Sequence, residues 1–163
     1  MKQKLWAWGD DFTIKDESGA DRFFVDGKAL SFGDKLSLQD MGHNELAYIQ
    51  QKVFSWGPTY EIYRSGQLYA TVKEKLWTFM KYRFVVDQEN IPGPVDLEIE
   101  GDFWAHEYGF FRQGRQVAAV SMQWFSWADT YGVDVSAGED DVLILACTVV
   151  VDMVTQQHKK HDT

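Results

Sequence analysis

The run Lys4-Leu5-Trp6-Ala7-Trp8-Gly9-Asp10-Asp11-Phe12-Thr13-Ile14 returns in altered form at 28–38 and again at 52–62. Its leading lysine stands 24 residues before Lys28, and Lys28 stands 24 before Lys52. Further copies start at Lys75 and Gln123, with a degraded one around Asp102-Phe103-Trp104. A unit this short cannot bury a hydrophobic face alone, so neighbouring copies must pair to share a core. Within each copy the apolar residues alternate: Trp6 with Trp8, Leu30 with Phe32, Phe54 with Trp56. Residues two apart project from one face of a strand. Turn formers such as Gly9-Asp10-Asp11 and Gly57-Pro58-Thr59 follow, and alternation resumes with Phe12 and Ile14, Leu36 and Leu38, Tyr60 and Ile62. Each copy is a β-hairpin, and six copies over residues 1–136 predict about twelve antiparallel strands. Gly27 reads as a bulge or bend. The Asn90-Ile91-Pro92-Gly93-Pro94 stretch reads as one long connection, more plausibly a plain crossover than a functional loop.

The last part of the chain has a different character. Val142-Leu143-Ile144-Leu145-Ala146-Cys147-Thr148-Val149-Val150-Val151 is apolar on every side. Glu139, Asp140 and Asp141 precede it and His158, Lys159, Lys160 and His161 follow, the charge order that suits a helix macrodipole. These residues predict a helix over 139–157 and a tail over 158–163, although the three consecutive valines leave a thirteenth strand open. About twenty apolar residues are needed to span a bilayer, so this run is too short, and a helix apolar all round must be buried in protein. An eight-stranded barrel is filled by its own side chains, whereas a wider one needs a plug. The expectation is therefore mainly β: a closed antiparallel barrel of about twelve strands around a central apolar C-terminal helix, with 1–163 as one domain. Its inward residues would grip the helix.

These motifs in this order resemble the LURP-one-related family. They are the Lys-Leu-Trp/Phe-x-Trp/Phe-Gly-Asp hairpins, Glu100-Gly101-Asp102-Phe103-Trp104, Trp124-Phe125-Ser126-Trp127-Ala128-Asp129-Thr130-Tyr131, and the closing apolar segment. That family belongs with tubby C-terminal domains and phospholipid scramblases, so the resemblance implies a twelve-stranded barrel around a central helix. It implies no particular activity, because a fold does not fix one. Tubby domains hold phosphoinositides with clustered basic residues. Scramblases carry a proline-rich arm and lipid-modified cysteines, which have no counterpart here.

Composition excludes several classes of function. With 45% hydrophobic and 15% aromatic residues the chain cannot be disordered. A net charge of −9 repels nucleic acid and anionic membrane surfaces unless a basic patch intervenes. The single cysteine, Cys147, forbids an intrachain disulfide, and the first eight residues lack the apolar run of a signal peptide. Both point to the cytoplasm.

Each candidate site has a bland reading beside it. Lys73, Lys75, Lys81 and Arg83 are the most basic stretch, with Trp77 and Phe79 between them, and could hold a phosphate or lipid headgroup. The plainer reading is that they are outward residues of two adjacent strands, since polybasic lipid sites usually gather more charges. Asp134, Glu139, Asp140 and Asp141 are dense enough for calcium, but no Asp-x-Asp-x-Asp-Gly loop accompanies them and a helix N-terminus wants the same residues. No metal site is assigned. Asp102, His106 and Glu107 are a titratable group without a nucleophile motif. His158 and His161 read as a frayed cationic tail, and Asp152 as the point where the helix meets water. The chain thus reads as a monomeric, non-enzymatic cytoplasmic barrel without cofactor, binding a protein or small ligand on its outside. Peripheral binding to anionic phospholipid or phosphoinositide headgroups is the alternative.

Overall fold

The computed structural model describes residues 2–6, 12–27, 35–52, 55–78, 81–89, 97–122 and 130–162. They form β1 (Lys2–Trp6), β2 (Phe12–Asp16), β3 (Asp21–Asp26), β4 (Lys35–Asp40), β5 (Glu45–Gln51) and β6 (Thr59–Arg64). The chain continues with β7 (Gln67–Thr78), β8 (Lys81–Gln88), β9 (Leu97–Asp102), β10 (Glu107–Arg112), β11 (Arg115–Ser121), β12 (Thr130–Val135) and helix α1 (Asp141–His161). Each strand pairs antiparallel with the next in chain order, and β1 pairs with β12 as well as with β2. The fold is mainly β, one antiparallel sheet and a C-terminal helix, as the hairpin pattern predicts.

The 24-residue period is written into the geometry. Strands β2, β4, β6, β8 and β10 end on Asp16, Asp40, Arg64, Gln88 and Arg112. Two residues before each end lies an inward side chain with no exposed surface: Ile14, Leu38, Ile62, Val86 and Phe110. Register shifts fall at the same phase, after Ile14, Leu38, Ile62 and Phe110. A bulge strengthens twist and bends a strand, which a sheet needs in order to curl. Gly27 is not one of these bulges. It lies just past the end of β3.

Helix α1 lies against the inward side chains. Leu143, Ile144, Leu145, Ala146, Cys147, Val149, Val150 and Val151 are at most 1% exposed and share one cluster with Ile14, Leu38, Ile62, Val86 and Phe110. Two hydroxyls inside it are satisfied by the helix backbone, Thr148 bonding the Ile144 carbonyl at 2.8 Å and Thr155 the Val151 carbonyl at 2.7 Å. Burial pushes the Cys147 thiol far above its ordinary range. The three valines are helical, so packing has overridden their strand preference. No helix among the described residues is long and apolar enough to cross a membrane.

Three expectations need correction. The helix runs to His161 rather than stopping at 157, because His158 is tied to the strands beside it. Asp152 does not mark the exit into water: it is 9% exposed, with nine helical residues still to come. Trp56 does not project from a strand, since β5 stops at Gln51 and the indole stands fully exposed on the following bend. The Gly9-Asp10-Asp11 turn, the stretch 28–34, the 90–96 connection and Trp124 to Asp129 lie outside the described residues.

Candidate functional site

Acids at the start of α1 meet guanidinium groups of the sheet, and the basic residues at its end meet a carboxylate and aromatic rings. At its start Asp140 caps the helix, accepting from the Leu143 N–H at 3.2 Å, and also accepts from Arg64 at 2.5 Å and the Tyr69 hydroxyl at 2.8 Å. The Arg64 guanidinium lies 4.8 Å over the Tyr69 ring. Glu139 takes Arg112 at 3.1 Å. Two of the four acids considered for calcium therefore neutralise guanidinium groups. Asp141 is in the first helical turn, and Asp134 lies on β12 opposite Lys2. Among the described residues no three His, Cys, Asp or Glu side chains converge on a metal position.

Burial works to raise the Asp140 carboxyl, but Tyr69, the Leu143 N–H and Arg64 outweigh it and hold the group below its ordinary range. A folded-state value below the unfolded one stabilises above about pH 4 and is lost as pH falls further. Asp140→Asn keeps a capping oxygen but loses the charge facing Arg64. It is expected to cost about 1–2 kcal/mol in urea unfolding at pH 7. The difference from the unmodified protein should shrink towards zero by about pH 2. A gap unchanged with pH would mean that the charge is irrelevant.

At the far end, Glu74 of β7 reaches His158 at 2.9 Å, and Tyr82 of β8 stacks on the same imidazole at 5.2 Å between centroids. Lys159 lies 5.6 Å over the Trp104 ring. Asp152 faces His106 at 3.9 Å and accepts from Gln156 at 2.9 Å. Burial raises the Asp152 carboxyl, while His106, Gln156 and Lys159 work against the rise. The triplet Asp102, His106 and Glu107 is divided rather than convergent. Asp102 caps its own turn at the Ala105 N–H, 3.0 Å away, and Glu107 accepts from the Ser121 hydroxyl at 2.8 Å and the Met122 N–H at 3.0 Å.

The basic stretch lies on the outer face. Val72 of β7 is completely buried and Glu74 nearly so, while the alternating Lys73 and Lys75 are exposed. Lys73 and Lys75 line a recess of about 390 Å³ over β6, β7 and β8, together with Lys52, Glu61, Asp87 and Glu89, and Leu68 and Val85. Register explains the mixture: Thr71 stands opposite both Glu61 and Asp87, and Lys73 opposite Val85. Arg83, opposite Lys75, faces Glu98 at 3.8 Å. The side chains of Lys81, Trp77 and Phe79 lie outside the described residues. Lys52 and the acids of the recess were missed in the sequence because only strand register brings them beside the lysines.

Comparison with known proteins agrees with this architecture. A family model described as LURP-one-related matches residues 1–152. An uncharacterized Bacillus subtilis protein, YxjI, is 35% identical over 154 residues, covering 94% of this chain and 91% of its own. An X-ray structure of an Arabidopsis thaliana protein superposes with a TM-score of 0.70 at 16% identity, covering 95% of this chain and 90% of that one. At that identity the likeness shows the fold alone.

Proposed function

The chain belongs to the LURP-one-related family, and from that premise we propose that it is a non-enzymatic binding protein, a tubby-like barrel closed on its own C-terminal helix. It takes its ligand on the outside, in the recess over β6–β8. The observation that carries this reading is the packing of α1, whose residues 143–151 are all buried against the inward side chains. An interior filled in this way has no room for a substrate, which moves recognition to the surface. The recess has the volume of a small-molecule site, and its lining carries both signs of charge beside Leu68 and Val85. A small zwitterion or a peptide segment with both charges suits Lys52, Lys73 and Lys75 on one side and Glu61, Asp87 and Glu89 on the other. The non-enzymatic reading rests on the partnering of the acids and histidines: Asp140 and Glu139 face guanidinium groups of the same chain, and Glu74 and Asp152 face its imidazoles. A single buried cysteine fits work as a monomer in the reducing cytoplasm.

Amide-resolved NMR titration with amino acids and dipeptides tests the proposal. Shifts are expected at Thr71, Lys73 and Asp87, and Lys73→Glu should weaken the response about tenfold. Ligand-induced shifts confined to the helix, or no response to any of these compounds, would sink it. The alternative, anionic headgroups at Lys73, Lys75, Lys81 and Arg83, is disfavoured on this face by Glu61, Asp87, Glu89 and the Arg83–Glu98 pair.

A further inference from the structure

Among the described residues, four of the five large apolar side chains that stand exposed lie at one end of the sheet. They are Trp56 at 103% of its reference area, Leu76 at 66%, Trp104 at 47% and Tyr82 at 36%; Met41 lies in the turn between β4 and β5, at the other end. The four belong to three neighbouring hairpin ends, β5–β6, β7–β8 and β9–β10. The Glu74 N–H donates to the Pro58 carbonyl at 3.1 Å, which sets the Trp56 bend beside β7, and Leu76 pairs directly with Tyr82. Tyr82 and Trp104 contact the last turn of α1 through His158 and Lys159, and Lys159, Lys160 and His161 are exposed there.

We propose that this end of the protein docks on an anionic lipid bilayer, with Trp56, Leu76 and Trp104 inserting at headgroup depth and Lys159, Lys160 and His161 facing the phosphates. The surface is separate from the outer-face recess, so the two readings stand or fall independently. Large apolar side chains exposed together mark a contact surface, and the chemistry of this one selects the occupant. Trp56, Leu76, Tyr82 and Trp104 stand exposed beside the basic last turn of α1, and a bilayer interface takes up apolar and cationic groups together. Indole and phenol rings settle at the headgroup level because one end is apolar and the other polar. Lys159 sits over the Trp104 ring, so ring insertion carries its charge to phosphate depth, where local attraction offsets the long-range repulsion of a chain of charge −9.

The test is co-sedimentation of the full chain with vesicles of phosphatidylcholine alone and of equal parts phosphatidylcholine and phosphatidylglycerol. Binding is expected to the mixed vesicles and to weaken with salt. The Trp56→Ala/Trp104→Ala variant, checked for native circular dichroism, should partition on the order of a hundredfold less well. Lys159→Glu/Lys160→Glu gives a second variant outside the apolar set and should lose the preference for the anionic vesicles. Lys73→Glu should bind like the unmodified protein. The proposal is overturned if the unmodified protein ignores mixed vesicles at low salt. It is equally overturned if the tryptophan variant binds as well, if Lys73→Glu abolishes binding, or if these tryptophans prove to capture a protein instead of a membrane.

Discussion

A chain ending at Gly138, and so lacking α1, is expected to be insoluble or unfolded, with no cooperative urea transition. The helix contributes seven fully buried large aliphatic side chains: Leu143, Ile144, Leu145, Val149, Val150, Val151 and Val154. At about 1.5–3 kcal/mol for each one withdrawn from water, their loss amounts to roughly 10–20 kcal/mol. Domains of ordinary size are stable by only about 5–15 kcal/mol, so the remaining sheet has no margin. It would also leave Ile14, Leu38, Ile62, Val86 and Phe110 facing water together. The effect should be specific to the oily surface of the rod and not to chain length. Replacing only the polar last turn, with Lys159→Ala/Lys160→Ala, should leave the urea midpoint within about 0.5 kcal/mol of its original stability. A soluble, cooperatively unfolding product from the truncated chain would overturn the view of α1 as the centre of the core. Light scattering and circular dichroism on the two products decide the matter.

The helix and the hairpins were legible because both depend on short-range pattern. Lys4, Lys28 and Lys52 announce a period that reappears as strand ends at Asp16, Asp40, Arg64, Gln88 and Arg112. Alternation in Leu36-Ser37-Leu38 and Tyr60-Glu61-Ile62 already says which side chains face inward. Contacts set by register or by the path of the helix were not legible. Glu74 meets His158 across 84 residues, and His106 meets Asp152 from the turn between β9 and β10. Neither pair leaves a local signal, so His158 looked like tail and Asp152 like an exit point. Trp56 failed for a different reason. Its two-residue spacing from Phe54 imitates a strand face, but β5 ends at Gln51 and the chain bends away before the indole is reached. The basic stretch was visible as charge, while Glu61 and Asp87, which change its chemistry, come from strands on either side.

Gly101→Ala is expected to be among the most damaging single substitutions in the sheet, costing about 3–5 kcal/mol. Two independent penalties meet at this residue. Its φ is +144°, a region that L side chains rarely adopt, and a Cβ there would stand 2.6 Å from the Glu107 carbonyl oxygen and 2.6 Å from the Tyr108 Cα. The obstacles are backbone atoms of the paired strand, Gly101 lying opposite Tyr108, so no side-chain rotation relieves the clash. Parting β9 from β10 would also loosen the aromatic chain beneath them. In that chain Phe84 packs edge-on to Phe103 at 5.0 Å, and Phe103 meets Tyr108 at 5.2 Å. The turn that carries His106 to Asp152 joins the same two strands and would shift with them. Gly114→Ala supplies the control. It has a positive φ of 77° but nothing within 4 Å of the added methyl, so conformational strain acts alone and should cost about 1 kcal/mol. Urea unfolding followed by circular dichroism separates the two variants. Equal costs would show that the close approach of β9 to β10 yields easily and that backbone conformation is all that Gly101 provides.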